Sequence, residues 1–262
     1  MKTFLITGAA RGIGKAFARK ALENKNKVIL WDVNSEELDK TSHEFKNEFN
    51  PQQVFERHVD LLEVDKLKAL LNEEILMHEK ISVLFNNAGV VSGKYFQDYS
   101  EKDILNVMTI NSTVPMLLTK TLLPHMLKNS DGAIINMASA ASYFGNPKMS
   151  VYCASKWALL GWAESLQVEL KDTPIQITNI APSYINTGMF DGVKAPKLVP
   201  MLQTNEITNI IWNAYQRKKS ICKAPFMVKA LPLLKATLPP SLFQKFVGDG
   251  LGVYSSMSDF KN

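Results

Sequence analysis

Cysteine is scarce in this chain, since Cys153 and Cys222 are the only two among 262 residues. Two cysteines are too few for the disulfide framework of a small secreted protein, and this number fits a reducing compartment. No cysteines and histidines stand at metal-ligand spacing, so we predict no metal site. No run of about 18 apolar residues predicts a membrane span, and we expect no signal peptide before the first glycine-rich turn. We therefore expect a cytoplasmic protein.

The chain also lacks a Gly/Ser-rich or Pro-rich linker, a low-complexity tract and an internal repeat. Its composition, with 46% hydrophobic and 21% charged residues, is that of an ordinary globular protein. We therefore predict a single domain over residues 1–262. Residues 1–190 are expected to form its core, and residues 191–262 a substrate-side segment with a small C-terminal helical extension.

Acidic residues are missing between Glu206 and Asp249, although the whole chain carries a formal charge of only +5. One interpretation of this stretch is a solvated basic face, and the other is a patch for anionic lipid or an acidic partner. Residues 225–247 are both basic and apolar, so they either make a peripheral contact with an anionic membrane surface or dock onto the protein's own fold. No aromatic-rich reader motif accompanies the charge, which argues against a nucleic-acid partner. The basic residues of the stretch are Arg217, Lys218, Lys219, Lys223, Lys229, Lys235 and Lys245.

Short apolar runs, typical of buried strands, alternate along the chain with segments of helical periodicity. The predicted strands are residues 3–7, 28–31, 54–59, 81–85, 133–137 and 175–180, with a further short strand at Ile221. The predicted helices are residues 12–22, 35–49, 64–77, 101–128, 150–170 and 206–216. This alternation predicts an α/β fold, a Rossmann-type doubly wound parallel sheet of about seven strands with helices on both faces.

The first predicted strand runs directly into a glycine-rich turn, residues 7–14 (TGAARGIG), and then into a helix. Gly8 permits a tight turn, Gly12 lets the backbone approach a pyrophosphate, and Gly14 allows the helix to pack closely on the strand. The free N–H groups and the dipole of the helix N-terminus, beginning near Arg11 and Ile13, favour a phosphate. Glycines also occur in such turns for packing alone, but the strand before and the helix after favour a dinucleotide site.

Asp32 comes immediately after the second predicted strand, 18 residues after Gly14. A carboxylate at this point can accept hydrogen bonds from the ribose hydroxyls of NAD, and it repels the 2′-phosphate of NADP. The alternative is a solvated aspartate that begins a turn. Arg11 in the glycine turn would favour NADP, but a carboxylate facing the ribose outweighs an exposed, flexible arginine. We therefore predict NAD as the cofactor, with NADP as the less favoured choice.

Further short motifs follow the glycine turn in the order of the chain. They are Asp60-Leu61, Asn86-Asn87-Ala88-Gly89, Asn111, Ser139 with Tyr152-Cys153-Ala154-Ser155-Lys156, and residues 182–187 (PSYINT). Together with the glycine turn, these motifs make the chain resemble the classical short-chain dehydrogenase/reductase family over nearly its whole length. Residues 250–260 are also similar to the C-terminus of the retinol and 17β-hydroxysteroid dehydrogenase branch of that family.

The resemblance implies roles for the residues of these motifs. Asp60 and Leu61 would hold the adenine ring, and Asn87, Ala88 and Gly89 would let the backbone reach the cofactor, whereas Asn86 is expected to brace the sheet. Ser183 stands where the family usually has glycine, and a positive φ at this position would strain a serine. Pro182, Ile185 and Thr187 would clasp the nicotinamide.

The chemistry of alcohol oxidation explains the residue types of the Ser139, Tyr152 and Lys156 motif. A free tyrosine has a pKa near ~10, which is too high for a base at neutral pH. Tyr152 and Lys156 are four residues apart on one helix face, so the ammonium is expected to lower the pKa of the phenol. Ser139 would hold the substrate oxygen, and Asn111 would anchor a water that connects Lys156 to solvent. Taken alone, a helical Tyr–Lys pair is also a common surface feature.

The substrate is expected to contact residues 140–149, after Ser139, and residues 188–201. These segments hold few charges, which predicts an apolar pocket for a lipophilic alcohol or ketone, although the same side chains could instead cover the core. The candidate substrate residues are Tyr143, Phe144, Met149, Met189 and Phe190, together with Ser139.

The resemblance also implies that helices 101–128 and 150–170 pair in a homodimer or homotetramer. The function predicted for the chain is a hydride transfer between NAD(H) and an alcohol or carbonyl. Two alternatives are an NADP-linked carbonyl reductase and a regulatory protein that senses the cofactor without turnover. Loss of Ser139, Tyr152 or Lys156 would be typical of a protein without turnover, and all three are present.

Overall fold

The computed structural model describes residues 1–190, 192–197 and 199–260. Residues 191 and 198, which belong to the predicted substrate segment, lie outside the described residues. The strands of the described residues are β1 Thr3–Thr7, β2 Lys27–Asp32, β3 Val54–His58, β4 Val83–Asn86, β5 Gly132–Met137, β6 Ile175–Pro182, β7 Ile185–Asn186, β8 Leu202–Gln203 and β9 Ile221–Ala224.

The α-helices connect these strands in the order that the sequence predicts. Within the described ranges they are α1 Gly12–Glu23, α2 Ser35–Glu48, α3 Val64–His78, α4 Glu101–Met108, α5 Val114–Lys128, α6 Ser150–Glu169, α7 Thr204–Gln216, α8 Phe226–Thr237 and α9 Pro240–Phe243. Short 3₁₀ turns lie at Pro51–Gln53, Phe96–Asp98 and Ala140–Ser142, and π-helical turns at Thr109–Thr113 and Gln244–Gly250.

One parallel sheet organises the described residues, with the strand order β3-β2-β1-β4-β5-β6-β9. Alternate residues of β1 point to opposite faces, so Phe4 and Ile6 join one apolar cluster and Leu5 joins the other. Helices α1, α2 and α7 cover the first face, while α3, α5 and α6 cover the second. The predicted doubly wound fold with helices on both faces is confirmed.

The long helix expected over residues 101–128 contains a π-helical turn at Thr109–Thr113. The N–H of Val114 bonds to the carbonyl of Thr109, five residues earlier instead of four. Pro115 follows at once and has no N–H to give to the carbonyl of Asn111, its partner in a regular α-helix. The proline thus removes one regular helical hydrogen bond at the point where the π-helical turn passes into α5.

The predicted end of the core at residue 190 is too early. Strand β9 pairs with β6 from Asn179↔Ile221 to Pro182↔Ala224 and so completes the central sheet. On α7, the ring of Trp212 stacks on that of Phe4, with ring centres 5.9 Å apart. Without β9 the edge of β6 would expose unpaired backbone groups, which is why the core extends to Ala224.

The residues after β9 form the predicted helical extension. Helices α8 and α9 and the π-helical turn Gln244–Gly250 pack against the loop that follows Ser139. Their inward side chains, such as Val228, Phe243 and Val247, form a small apolar cluster with Phe144. In the part of the chain that the structure describes, no helix has the length and apolar character needed to cross a bilayer.

Candidate active site

The glycine turn after β1 has the backbone conformation that its sequence predicts. Gly8 and Gly12 adopt positive φ angles of 65° and 57°, which side chains other than glycine rarely tolerate. A Cβ on Gly14 would lie 2.1 Å from the carbonyl oxygen of Gly8, so this glycine lets α1 sit directly on the turn. The Nδ2 of Asn87 donates to the carbonyls of Thr7 and Gly8, at 2.9 and 3.0 Å, and fixes the turn from the neighbouring strand.

The N-terminus of α1 opens into a cleft beyond this turn. Arg11 is the N-cap residue, its side chain makes no capping hydrogen bond, and the first turn of α1 has no acidic residue. Such an uncapped N-terminus favours an anion because its N–H groups and its dipole both point outward. The glycine turn and α1 can therefore hold a pyrophosphate, as the sequence predicts.

The Asp32 carboxylate is fixed at the end of β2. Its Oδ2 accepts a hydrogen bond from the backbone N–H of Ala10 at 2.9 Å, and its Oδ1 accepts one from that of Asn34 at 3.0 Å. These bonds join the glycine turn to the next loop and orient the carboxylate along the cleft wall. Each oxygen keeps a lone pair, so Asp32 can still accept hydrogen bonds from ribose hydroxyls.

The cleft runs along the carboxyl ends of the strands, where open α/β sheets bind their ligands. Gly14 is the one predicted cofactor residue that is absent from its walls, because this glycine serves the packing of α1 on the turn. The predicted residues that line the cleft are Gly8, Arg11, Gly12, Ile13, Asp32, Asp60, Leu61, Asn87, Ala88, Gly89, Tyr152, Lys156, Pro182, Ile185 and Thr187.

Sequence reasoning missed another part of the cleft wall. These residues are mostly apolar strand ends and loop positions, and they carry no chemical signature that distinguishes them from core residues. They are Trp31, Val33, Val59, Val90, Ile110, Met137, Ala138 and Ser183.

Tyr152 and Lys156 lie at the inner end of the cleft, one turn apart on α6. Burial raises the pKa of the Tyr152 phenol, and a hydrogen bond with Ser139 opposes this rise. Lys156 is buried too, which lowers the pKa of its ammonium to about 8. Its Nζ lies 5.7 Å from the centre of the Tyr152 ring and donates to the carbonyl of Met137 at 2.7 Å. The sequence predicts that Lys156 lowers the pKa of the Tyr152 phenol. In the protein by itself the phenol pKa is raised instead, because desolvation dominates.

Ser139 begins the 3₁₀ turn Ala140–Ser142, just beyond β5. Its Oγ accepts a hydrogen bond from the N–H of Ala141 at 3.1 Å, which fixes the side chain beside Tyr152. The Oγ of Ser142 donates to the carbonyl of Lys156 at 2.9 Å and ties the same turn to α6. The structure thus brings Ser139, Tyr152 and Lys156 together at one end of the cleft.

Asn111 lies in the π-helical turn, behind the cleft wall instead of in it. Its Oδ1 accepts from the N–H of Val90 at 2.8 Å, and its Nδ2 donates to the carbonyl of Val90 and to the Oγ of Ser155, at 2.9 and 3.0 Å. Only Gly89 separates it from Lys156, because a Cβ on that glycine would lie 3.3 Å from Asn111 Oδ1 and 3.5 Å from Lys156 Nζ. The side chain thus braces the loop after β4, and the water-anchoring role remains a prediction.

A second, apolar cavity adjoins the cleft at Ser139, Ser183 and Phe190, which line both. Phe144, Met149 and Phe190 line it as predicted, whereas Met189 lines only the cleft. Tyr143, also predicted as a substrate residue, lines neither the cleft nor the cavity. Its ring packs beneath Lys223, whose Nζ lies 4.7 Å from the ring centre, because the extension covers this side of the loop.

The comparisons with known proteins agree with this geometry. The model of the short chain dehydrogenase family matches residues 2–197. Epidermal retinol dehydrogenase 2 of Mus musculus is 31% identical over 261 residues, which cover 98% of this chain and 84% of that protein. Estradiol 17-beta-dehydrogenase 11 of Macaca fascicularis is 30% identical over 240 residues, covering 90% and 78%.

The chain belongs to the short-chain dehydrogenase/reductase family. It is an NAD(P)-dependent oxidoreductase that acts on alcohols. Solved structures share its fold at lower identity. A short-chain dehydrogenase from Sphingobium yanoikuyae in complex with NADPH has a TM-score of 0.81 at 23% identity, covering 95% of this chain and 96% of that one. One from Burkholderia phymatum in complex with NAD has a TM-score of 0.79 at 23% identity, covering 94% of each.

Two expectations about neighbouring residues of this short-chain dehydrogenase can be settled from the structure. Asn86 braces the sheet as expected, because its Nδ2 donates to Asn136 Oδ1 at 2.9 Å and Asn136 Nδ2 donates to Asn179 Oδ1 at 3.0 Å. Ser183 does not have a positive φ, so serine fits this position without backbone strain. Its N–H donates to the carbonyl of Ala224 at 2.8 Å and extends the pairing of β6 with β9.

The C-terminal residues of the dehydrogenase contribute much of the apolar cavity, and sequence reasoning assigned none of them to the substrate. The helical spacing of apolar residues in α8 indicates that one side of this helix is buried. It does not show what that side packs against. The polar edge of the cavity is closed by Tyr184, whose hydroxyl bonds to the Oγ of Ser256 at 2.8 Å. The missed residues of the extension are Met227, Val228, Leu231, Leu234, Val247, Leu251 and Val253.

Proposed function

We propose that this protein transfers a hydride between NAD(H) and a lipophilic alcohol or carbonyl compound, with Tyr152 as the acid/base. The observation that carries the proposal is the position of Ser139, which lines both the dinucleotide cleft and the apolar cavity and lies beside Tyr152. A substrate in the cavity would therefore have its oxygen beside two hydroxyl groups at the point where the cleft begins.

The roles of the side chains follow from this arrangement. Ser139 donates a hydrogen bond to the substrate oxygen and holds it beside Tyr152. In oxidation the Tyr152 phenolate accepts the hydroxyl proton, and in reduction the phenol returns it to the carbonyl oxygen. Lys156 holds its ammonium 5.7 Å from the centre of the Tyr152 ring, where its charge would favour the phenolate and oppose the effect of burial on the phenol pKa. The nicotinamide, when bound, supplies the hydride acceptor or donor.

The choice of NAD over NADP is supported by Asp32. A fixed carboxylate at the end of β2 can pair with the ribose hydroxyls of NAD and would repel the 2′-phosphate of NADP. Arg11 is exposed at the same end of the cleft and is the one lining residue that would favour the phosphate. The two cofactors therefore have to be compared directly.

The lipophilic substrate class is supported by the cavity walls. Most lining side chains are aliphatic, aromatic or methionine, and charged residues are absent from the described wall. A site of this kind binds a large apolar body and fixes its orientation through a few polar groups, here Ser139 at one end and Tyr184 at another. The relatives whose names include retinol and estradiol act on molecules of the same character.

We also propose a homodimer or homotetramer in the cytoplasm. Leu105 on α4 and Val168 on α6 are exposed apolar side chains on the helices expected to pair, and both cysteines are free thiols. Sedimentation at micromolar concentration tests the assembly, since a single monomeric species would contradict it. The reaction itself is tested by screening long-chain, retinoid and steroid alcohols for reduction of NAD and of NADP. No turnover of any lipophilic alcohol or ketone with either cofactor would contradict the proposal.

A further inference from the structure

The helical extension has an outer face that exposes large apolar side chains. We define the outer face as Phe226 and Leu233 on α8, with Leu242 and Phe246 on α9 and the turn that follows it. These side chains are 74%, 67%, 41% and 59% exposed, respectively. Four large apolar residues in one short segment, all turned to solvent, exceed the scattered exposed residues of an ordinary protein surface.

Packing explains why these residues cannot turn inward. Phe226 and Leu233 are seven residues apart and so lie on the same side of α8, opposite the buried Val228. Leu242 and Phe246 are four residues apart and lie on one side of the chain. The residue that follows each of them, Phe243 or Val247, is buried in the apolar cluster. The inner side of α8 lines the apolar cavity, and Phe243 of α9 is buried in the apolar cluster. The outer face is therefore amphipathic helix surface without a partner within the described chain.

Lysines surround the outer face, and carboxylates are sparse there. Lys229 lies with its Nζ 5.3 Å from the ring centre of Phe226, and Lys245 is exposed next to Phe246. Lys223 and Lys235 lie instead over the rings of Tyr143 and Trp157, so Lys229 and Lys245 are the lysines beside the outer face. Between Glu206 and Asp249 the sequence has no acidic residue.

We propose that the outer face docks on an anionic lipid bilayer. Apolar side chains that alternate with lysines on a helix surface insert to the depth of the headgroups, while the ammonium groups remain with the lipid phosphates. A second copy of the chain fits less well, because a two-fold contact would place the same lysines against each other. The charge of the face thus favours anionic lipid over self-association.

Docking in this orientation would place the apolar cavity directly behind the bilayer surface. Val228, Leu231 and Leu234 line the cavity from the inner side of the same helix that carries Phe226 and Leu233 outside. A lipophilic substrate held in the bilayer would then lie just across α8 from the cavity. This consequence rests on the proposed function, whereas docking itself does not, so vesicle binding tests the inference separately from turnover.

The test uses the full chain and co-sedimentation with vesicles of phosphatidylcholine, either alone or with about one third phosphatidylserine. We expect the protein to bind the anionic vesicles, and this binding should weaken as the salt concentration rises. Binding to vesicles of phosphatidylcholine alone should be weaker. The variant Phe226→Ser/Leu233→Ser and the variant Lys229→Gln/Lys245→Gln are each expected to lower the partition coefficient roughly tenfold or more. Circular dichroism and thermal melting show that each variant is folded.

Matched controls come from helices elsewhere on the protein. Leu76 and Met77 on α3 are 82% and 62% exposed, so Leu76→Ser/Met77→Ser removes as much exposed apolar surface from another place. Lys68→Gln/Lys102→Gln removes two exposed lysines from α3 and α4. Unchanged binding of both controls supports the inference. It is overturned if the wild type does not sediment with anionic vesicles at low salt, if the controls lose binding equally, or if the face variants instead dissociate an oligomer in light scattering.

Discussion

The ammonium of Lys156 donates a hydrogen bond to the backbone carbonyl of Met137, 2.7 Å away at the end of β5. This bond joins the catalytic helix α6 to the central sheet and places a positive charge in a buried position. Burial lowers the pKa of Lys156 to about 8, because desolvation disfavours the charged form. The buried ammonium of Lys156 thus serves the proposed reaction but lowers the free energy of unfolding, which is a common feature of active sites.

Lys156→Met is expected to stabilise the fold at pH 7 while abolishing turnover. The folded protein holds the lysine proton less tightly than the unfolded chain, whose lysine pKa is about 10.4. Below pH 8 the full cost of the buried charge is present, and it disappears as the pH rises from about 8 to about 10.5. After allowance for the lost hydrogen bond, we expect a gain of about 2 kcal/mol at pH 7 and a much smaller gain at pH 9.5.

Urea unfolding of the variant and the wild type at both pH values measures this difference. Lys68→Met, an exposed lysine on α3, serves as the control and should change stability little at either pH. A difference between Lys156→Met and the wild type that does not depend on pH would show that the lysine is not buried as a charge.

Tyr152→Phe should reduce kcat by roughly 100- to 10,000-fold, the range expected for loss of a general acid/base. Binding of NADH, followed by its fluorescence, should change by less than about twofold, because the phenol hydroxyl is one of many groups that line the cleft. Tyr143→Phe is the matched control, since the Tyr143 ring packs under Lys223 outside both cavities. Near-normal turnover by Tyr152→Phe would refute the assigned mechanism.

Asp32→Ala should shift the ratio of the dissociation constants for NADH and NADPH at least about tenfold towards NADPH. The carboxylate that pairs with the ribose and repels a 2′-phosphate is then gone, and Arg11 remains. The variant also loses the bonds to Ala10 and Asn34, so a modest fall in thermal stability should accompany the shift. Tighter binding of NADPH than of NADH by the wild-type protein would overturn the proposed cofactor preference.

Leu231→Trp should raise the KM for bulky substrates much more than for small alcohols, since Leu231 lines the apolar cavity from α8. Leu233→Trp, two residues further on the exposed side of the same helix, should leave both values nearly unchanged in detergent-free solution. The comparison separates filling of the cavity from a general effect on the helix. Equal effects of the two variants on every substrate would argue that the cavity does not hold the substrate.

Asn136→Leu should lower the free energy of unfolding by roughly 2–4 kcal/mol, because it removes the central amide of a buried ladder across three strands. Asn86 and Asn179 would each lose a partner in a place that water does not reach. Replacing all three asparagines by leucine should recover part of the loss, as no orphaned amide then remains. Denaturation curves of the single and triple variants test this, and an unaffected single variant would contradict it.

Many of the chemical groups of the site could be identified from the sequence because their signals are local. Gly8 and Gly12 must adopt positive φ, Asp32 must end a strand, and Tyr152 and Lys156 must share one helix face whatever the rest of the chain does. Alternation of apolar runs with amphipathic segments likewise predicts the sheet and the helices on its two faces. The family resemblance then linked these separate signals to one reaction.

Other features depend on which distant segments meet, and only the tertiary structure decided them. Apolar periodicity in α8 indicates a buried side but does not show that this side faces Ser139 and the substrate cavity. Tyr143 and Phe144 are adjacent aromatic residues, yet only Phe144 lines the cavity, whereas the Tyr143 ring packs beneath Lys223. The pKa of Lys156 is also set by burial from several elements at once. Local conformation and residue chemistry are thus determined by short stretches of sequence, whereas burial, partners and electrostatics arise from contacts between residues far apart in the chain.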